Sequence, residues 1–324
     1  MGGMKTAIEN FPKQFSYEPK IENKDNLESK GKFVVIGMGG SHLAADLLKV
    51  WNPYLDLIIH KDYGLPPLSL EDLENRLIIV SSYSGNTEET VDAFEKAKEK
   101  NLQIAVISTG GELIKLAKKT ETPYIKMPNT GIQPRSALGL SFKGLLKLIG
   151  EEDTLEEIKE LTETLDPGAL EQKGHDLAKE LKGKVPVIYS GTRNGPIAYN
   201  WKIKFNETGK VPAFCNILPE LNHNEMTGFD VQSPTKELSK NFSFIFLKDA
   251  SDQDGTQKRM KVLKELYKDR KLPVKEVALE GETEFEKIFS SLILADWAAY
   301  YTADFYGLEP EQVPMVEEFK GLIK

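Results

Sequence analysis

The sequence predicts an α/β protein of two subdomains, each a doubly wound, mostly parallel sheet flanked by helices. Three observations predict it. Short apolar runs alternate with longer amphipathic stretches along most of the chain, which is the rhythm of βαβ units. That rhythm starts twice, each time with an apolar run entering a turn rich in glycine: 33–37 into Gly39-Gly40-Ser41, and 185–190 into Gly191-Thr-Arg-Asn-Gly195. A length of 324 residues fits two domains better than one.

In order, residues 5–14 read as a short leading helix, and the polar stretch 18–31 as a loop with another short helix. Strands follow at 33–37, 55–59, 77–81, 103–108 and 124–127, with helices between them at 41–49, near 69–73, at 88–100 and at 111–119. Short unbroken apolar runs suit strands covered on both faces, as in a parallel sheet. Residues 136–150 form an apolar helix, and 151–182 an acidic, leucine-rich helical stretch broken at Asp166-Pro167-Gly168. The boundary is expected in this region, giving subdomains 1–153 and 154–324. The second holds strands at 185–190, 213–217, 242–247 and 274–279, helices at 197–208, 256–268 and 284–304, and a terminal helix at 315–323.

The stretch 77–90 carries the clearest chemistry. Leu77 to Val80 are apolar, Ser81, Ser82, Ser84, Gly85, Asn86 and Thr87 form a turn, and Glu88-Glu89 open a helix. A strand that ends in small hydroxyls at a helix N-terminus binds anions, because free N–H groups and the positive end of the helix dipole face the turn. Helix capping alone needs only one such residue. Ser82, Ser84 and Thr87 with Gly-Asn exceed that need and point to a phosphate monoester. The turn has no lysine, so it is not the Gly-Lys-Ser/Thr phosphate loop. Gly37-Met-Gly39-Gly40-Ser41-His42 lacks the third glycine of a dinucleotide fingerprint, although Asp62 stands where a ribose-binding acid could. Its glycines better suit close approach of a substrate to the backbone, with Ser41 as a donor.

Composition narrows the partners. The net charge is 42 − 50 = −8 with no basic tract, which disfavours nucleic acid and anionic membranes. No apolar run approaches the ~20 residues that span a bilayer, and residues 1–5 lack a signal-peptide core. The single cysteine, Cys215, fits a reducing compartment and reads as a structural thiol. A cytoplasmic protein is expected. His42, His60, His175 and His223 form no i, i+4 pair and there is no Cys-x-x-Cys, so no metal is expected. Trp51, Trp201 and Trp297 fall on apolar helix faces and read as packing residues.

Gly39-Gly40-Ser41 after the first strand and Ser82–Thr87 after the third are together similar to the sugar isomerase (SIS) domain family. Pro134-Arg135, Asn206-Glu207, Glu220-Leu-Asn-His223-Asn-Glu225 and Lys320 narrow this, and nearly the whole chain resembles the bifunctional phosphoglucose/phosphomannose isomerases. The resemblance implies two SIS-type subdomains and a cofactor-free interconversion of glucose 6-phosphate, and mannose 6-phosphate, with fructose 6-phosphate through an enediolate. One common class of phosphomannose isomerase uses zinc on a different fold, so here the conversion would be metal-free. The resemblance also implies a role in glycolysis and gluconeogenesis, and a homodimer with a shared active site.

By the same resemblance Gly39, Gly40, Ser41, Ser82, Ser84 and Thr87 bind the substrate, Glu207 transfers the proton, His223 and Lys320 open the ring, and Arg135 supports the enediolate. Each residue also has a plainer reading. A glutamate at a helix end is usually solvated, though Lys202, Lys204 and Lys210 give Glu207 positive neighbours. A loop arginine is commonly on the surface. A terminal lysine is commonly solvent-facing, and Lys324 rivals Lys320 from a frayed end. A lone histidine is more often structural, but His223 lies in an asparagine-rich loop rather than an apolar core. A non-catalytic SIS module that senses a sugar phosphate is the alternative reading. Such a module could dispense with Glu207 and His223.

Overall fold

The alternation of apolar runs and helices is realised as two sheets in a computed structural model, which describes residues 3–28 and 30–323. Lys324 lies outside the described residues. The chain forms two compact units: Asn10–Thr164, and Leu165 onward together with the N-terminal residues through Glu9. The division thus falls later than 153/154, because the helices after 150 still pack on the first unit. The leading helix α1 (Met4–Glu9) buries Met4 and Ile8 in the second unit. The expected helix 5–14 is therefore two elements, α1 and a 3-10 turn, Phe11–Ser16, that belongs to the first unit.

The first unit runs β1 (Ile21–Glu22), β2 (Phe33–Ile36), α2 (Gly40–Trp51), β3 (Leu57–His60), α3 (Leu70–Glu74), β4 (Leu77–Ser81), α4 (Glu88–Glu99), β5 (Ile104–Ser108), α5 (Gly111–Lys119) and β6 (Tyr124–Lys126). The helices α6 (Leu138–Ile149), α7 (Glu152–Lys159) and α8 (Leu161–Thr164) complete it. The strand order is β1-β6-β5-β4-β2-β3, parallel except for β1, which pairs antiparallel with β6. Successive side chains point to opposite faces. Val34, Ile36, Ile78, Val80, Ile104 and Val106 pack with Phe94, Ala97 and Leu113 of α4 and α5. Gly144 of α6 meets Ile107 and Ile125 on the opposite face. Both faces are covered, which is why the strands read as unbroken apolar runs.

The second unit holds α9 (Pro167–Glu180), β7 (Val185–Gly191), α10 (Gly195–Glu207), β8 (Phe214–Leu218), α11 (Glu225–Gly228), α12 (Lys236–Ser239), β9 (Phe242–Lys248), α13 (Asp254–Asp269), β10 (Val274–Ala278), α14 (Glu284–Phe305) and α15 (Pro314–Leu322). Asp166-Pro167 proves to be a helix start: the Asp166 carboxylate accepts the Ala169 N–H at 3.0 Å, and Pro167 needs no partner for a missing N–H. The sheet is wholly parallel, in the order β10-β9-β7-β8. Val187, Tyr189, Phe244 and Phe246 pack on Met260, Leu263 and Tyr267 of α13. On the other side α10 and α14 pair, and the indole N–H of buried Trp201 donates to Ser291 Oγ at 2.9 Å. Trp297 is also fully buried.

Candidate functional site

In each sheet the chain winds outward in both directions from one gap between neighbouring strands. In the first unit that gap lies between β2 and β4, since β3 follows on one side and β5 on the other. Loops leaving the two strands diverge there and leave a crevice at the carboxyl ends. Residues 37–41 and 81–87 are those two loops, so the sheet topology brings Gly39, Gly40 and Ser41 to Ser82, Ser84 and Thr87.

The hydroxyls knit the loops together. Ser41 Oγ accepts the Tyr83 N–H at 2.9 Å, and Ser81 Oγ donates to the Ser41 carbonyl at 2.9 Å. Ser82 Oγ accepts the Gly85 N–H at 3.1 Å and lies 2.9 Å from Thr87 Oγ1. Thr87 occupies the N-cap position of α4 yet its side chain does not cap the helix. Asn86 turns its Oδ1 away, to the Glu112 N–H of α5 at 2.9 Å. Consequently the N–H groups of Ser84, Thr87, Glu88 and Glu89 have no hydrogen-bond partner among the described residues. Three unpaired amides at the N-terminus of a 12-residue helix, with the amide and exposed hydroxyl of Ser84 in the loop before it, present donors suited to an anion.

Close backbone approaches complete the first-unit cluster. A Cβ on Gly85, where φ is +72°, would lie 1.9 Å from the Gly110 carbonyl oxygen, so only glycine fits. A Cβ on Gly40 would lie 2.8 Å from the Arg135 nitrogen and from Pro134. This contact sets the 134–136 turn against the start of α2. Arg135 is expected in a loop, but its side chain is buried at 1% exposure. A depression of about 360 Å³ nearby is lined by Asn86, Glu88, Asp92, Glu95 and Glu112, and its acids repel an anion.

The second unit repeats the topology with different chemistry. Its gap lies between β7 and β9, where residues 191–195 and 248–253 leave the sheet. Here the chain's own carboxylates fill the crevice. Asp252 rests against Gly191, whose added Cβ would lie 2.6 Å from its oxygen. Asp249 accepts from Asn194 Nδ2 at 3.0 Å, from the Ser251 N–H at 2.8 Å and from Lys287 Nζ at 3.1 Å. Burial alone would raise the Asp249 carboxyl, but these donors outweigh it and hold it below the usual range. Burial, followed by the Asp249 charge, pushes Asp252 up to about 6. The likeness of Gly191–Gly195 to the first Gly-rich turn is thus one of topology, not of anion-binding capacity.

The remaining candidates lie in the second unit. Glu207 is the last residue of α10. Its carbonyl accepts from Lys210 Nζ, which also reaches the carbonyls of Gln312 and, at 3.4 Å, Pro310. Lys210, read from the sequence only as a positive neighbour, therefore ties the Glu207 helix end to the segment leading into α15. Lys204 is turned the other way, buried and 2.7 Å from Asp296 of α14. His223 is exposed at the end of the 3-10 turn Glu220–His223, and its imidazole makes no hydrogen bond to another described residue. Lys320 is exposed on α15 and paired with Glu317 at 2.8 Å. His42, the residue that breaks the dinucleotide fingerprint, is buried with Nδ1 2.6 Å from Asp46. Cys215 is half-buried, and burial raises its thiol pKa.

A family described as the bacterial phospho-glucose isomerase C-terminal SIS domain matches residues 170–323. The chain is 33% identical to a protein of Aquifex aeolicus named bifunctional phosphoglucose/phosphomannose isomerase, over 98% of this chain and 97% of that one. A protein of the same name from Caldicellulosiruptor bescii is 34% identical over 97% of each. Among solved structures, tagatose-6-phosphate ketose/aldose isomerase from Escherichia coli shares the fold, with a TM-score of 0.67 at 15% identity over 95% of this chain and 94% of that one.

Proposed function

The chain belongs to the bifunctional phosphoglucose/phosphomannose isomerase family, and from that premise we propose that it interconverts glucose 6-phosphate, and mannose 6-phosphate, with fructose 6-phosphate through an enediolate and without a metal. The observation that carries the reading is the first-unit loop, where four unpaired amides and the Ser84 hydroxyl suit a phosphate monoester.

Each role follows from what the reaction needs. Ser41, Ser82, Ser84 and Thr87 organise and bind the phosphate, and Gly39 and Gly40 let it approach the backbone. The cyclic sugar must first open: a proton leaves the C1 hydroxyl and one is delivered to the ring oxygen. We assign this exchange to His223 and Lys320. Glu207 then removes the C2 proton of the open aldose, the C1 carbonyl becomes part of the enediolate, and the same carboxylate returns that proton to C1 while the C2 hydroxyl proton passes to O1, leaving the ketose carbonyl at C2. Arg135 stabilises the negative charge on the enediolate oxygens. Glucose and mannose 6-phosphates differ only at C2 and give the same enediolate, so one base serves both once the intermediate rotates.

The same proposal covers the setting: a cytoplasmic enzyme of glycolysis and gluconeogenesis, working as a homodimer with a shared active site. The net charge of −8 and the single cysteine support the cytoplasm. No described helix is long and apolar enough to cross a membrane. Support for a second copy comes from α15, which exposes Met315, Phe319 and Leu322 as one apolar stripe at 80%, 60% and 79%.

The test is fructose 6-phosphate formation from each aldose phosphate in EDTA, with wild type beside Glu207→Gln. Turnover of both substrates by the wild type, and none by a folded variant, supports the reading. Turnover of glucose 6-phosphate alone removes the mannose specificity. Failure of both, with melting still raised by fructose 6-phosphate, would replace the enzyme with a sensor.

A further inference from the structure

A short turn that presents an imidazole must be held on both sides, or the ring's place is undefined. On one side of His223, Leu221 is fully buried in the second-unit core. On the other side, Glu225 sends its carboxylate back to the sheet. Its Oε1 accepts from the Tyr189 hydroxyl of β7, and its Oε2 accepts from Asn216 Nδ2 of β8 at 2.5 Å. Both donors are themselves fixed. Tyr189 is fully buried beside the rings of Phe244 and Phe246. Burial, with Tyr267 and Glu225 nearby, holds its phenol well above the ordinary value, so it remains a donor. Asn216 Oδ1 accepts the Ile217 N–H at 2.8 Å, which orients the amide so that its NH₂ faces Glu225. Asn224 adds a local brace: its Oδ1 accepts the Glu225 N–H at 2.6 Å, and its Nδ2 donates to Glu220 at 2.8 Å. Glu225 opens a helix of only four residues, too short for the helix dipole to explain an acid there.

We propose that Glu225 is a positioning residue for His223: its carboxylate anchors the 220–225 turn to β7 and β8, so that the imidazole is presented in one place for ring opening. The proposal rests on the reading of His223 given above. It also explains why the imidazole of that histidine can remain exposed and without a hydrogen bond of its own. A displacement of about 1 Å in a catalytic group can cost on the order of 100-fold in rate. Loss of the anchor is therefore expected to act on kcat rather than on phosphate binding, whose residues lie in the other unit.

The experiment is steady-state isomerisation of glucose 6-phosphate by the full chain, with melting temperature recorded for every variant. His223→Ala, Glu225→Ala and the double variant are compared first. Glu225→Ala should lower kcat by roughly 10- to 100-fold with KM little changed. The double variant should be no slower than His223→Ala alone, because a residue that acts through another adds nothing once that other is gone. Tyr189→Phe keeps the buried ring but removes one anchor bond, so kcat should fall less than in Glu225→Ala. Glu225→Gln combined with Asn216→Asp exchanges donor and acceptor and should recover kcat above Glu225→Gln alone.

Full kcat in His223→Ala would overturn the reading of His223, and the positioning role with it. A slow His223→Ala beside a folded, fully active Glu225→Ala would overturn the positioning role alone. So would a double variant showing the product of the two single losses. If Glu225→Ala does not fold, Tyr189→Phe and the exchanged pair decide: unchanged kcat in the first with no recovery in the second refutes the proposal.

Discussion

Asp252→Asn is expected to stabilise the protein at neutral pH, and the gain should vanish below about pH 4. The carboxyl is pushed from an ordinary 3.8 to about 6, first by burial and then by the Asp249 charge. A folded-state value above the unfolded one means that the native protein holds this proton more tightly. The contribution is therefore complete below about pH 4 and is lost as pH rises through about 6. At ~1.4 kcal/mol per tenfold, the step from 3.8 to about 6 corresponds to at most about 3 kcal/mol. Asp252 is half-exposed and faces Lys287 and Arg193, so solvent screening reduces this to roughly 1 kcal/mol. Asparagine has nearly the shape of the protonated acid and carries no charge to desolvate. Urea unfolding of both proteins at pH 3.5, 5.0 and 7.5 isolates the effect, because the other groups are common to both and largely cancel in the difference. The variant should gain roughly 1 kcal/mol at pH 7.5, equivalent to about 2–4 °C in melting temperature, about half of that at pH 5.0, and almost nothing at pH 3.5. A variant less stable than wild type at pH 7.5, or a difference that does not change with pH, would refute the argument that this crevice is closed by a strained carboxylate.

Further outcomes are expected elsewhere. Ser82→Ala strands the buried Gly85 N–H and frees Thr87, so it should cost about 1–3 kcal/mol in loop stability and raise KM for a phosphorylated sugar roughly tenfold, read from melting and kinetics. Lys204 and Asp296 form an ion pair 2.7 Å apart, both almost fully buried. Lys204→Met alone should therefore cost about 3–5 kcal/mol, whereas Lys204→Met with Asp296→Leu should recover most of it in chemical denaturation. Gly85→Ala must place a methyl group 1.9 Å from the Gly110 carbonyl oxygen at a φ of +72°, so it should lose more than about 2 kcal/mol and weaken protection against melting by fructose 6-phosphate.

Much of this molecule is legible in its sequence because its elements are local. The runs at 33–36 and 77–81 become central parallel strands because strands covered on both faces must be apolar throughout. The sequence also marked where donors for an anion could gather: hydroxyls, Gly85 and Asn86 lie between a strand and a helix N-terminus. It did not reveal β1, two residues long and half polar, which is a strand only because Ile21 meets Ile125 across the sheet edge. Nor did it show that Thr87 would bond Ser82 rather than cap its own helix, that Arg135 would be buried, or that Lys204 would pair with Asp296. Those outcomes depend on residues far apart in the chain. The two Gly-rich turns make the point most directly. Both follow a strand and open a helix, yet Asp252 and Asp249 close the crevice at the second, while the crevice at the first holds the unpaired amides of Ser84, Thr87, Glu88 and Glu89. Short-range pattern determined where an anion site could form. Tertiary packing decided which one stayed open, because only the folded chain brings the competing carboxylates within hydrogen-bonding distance.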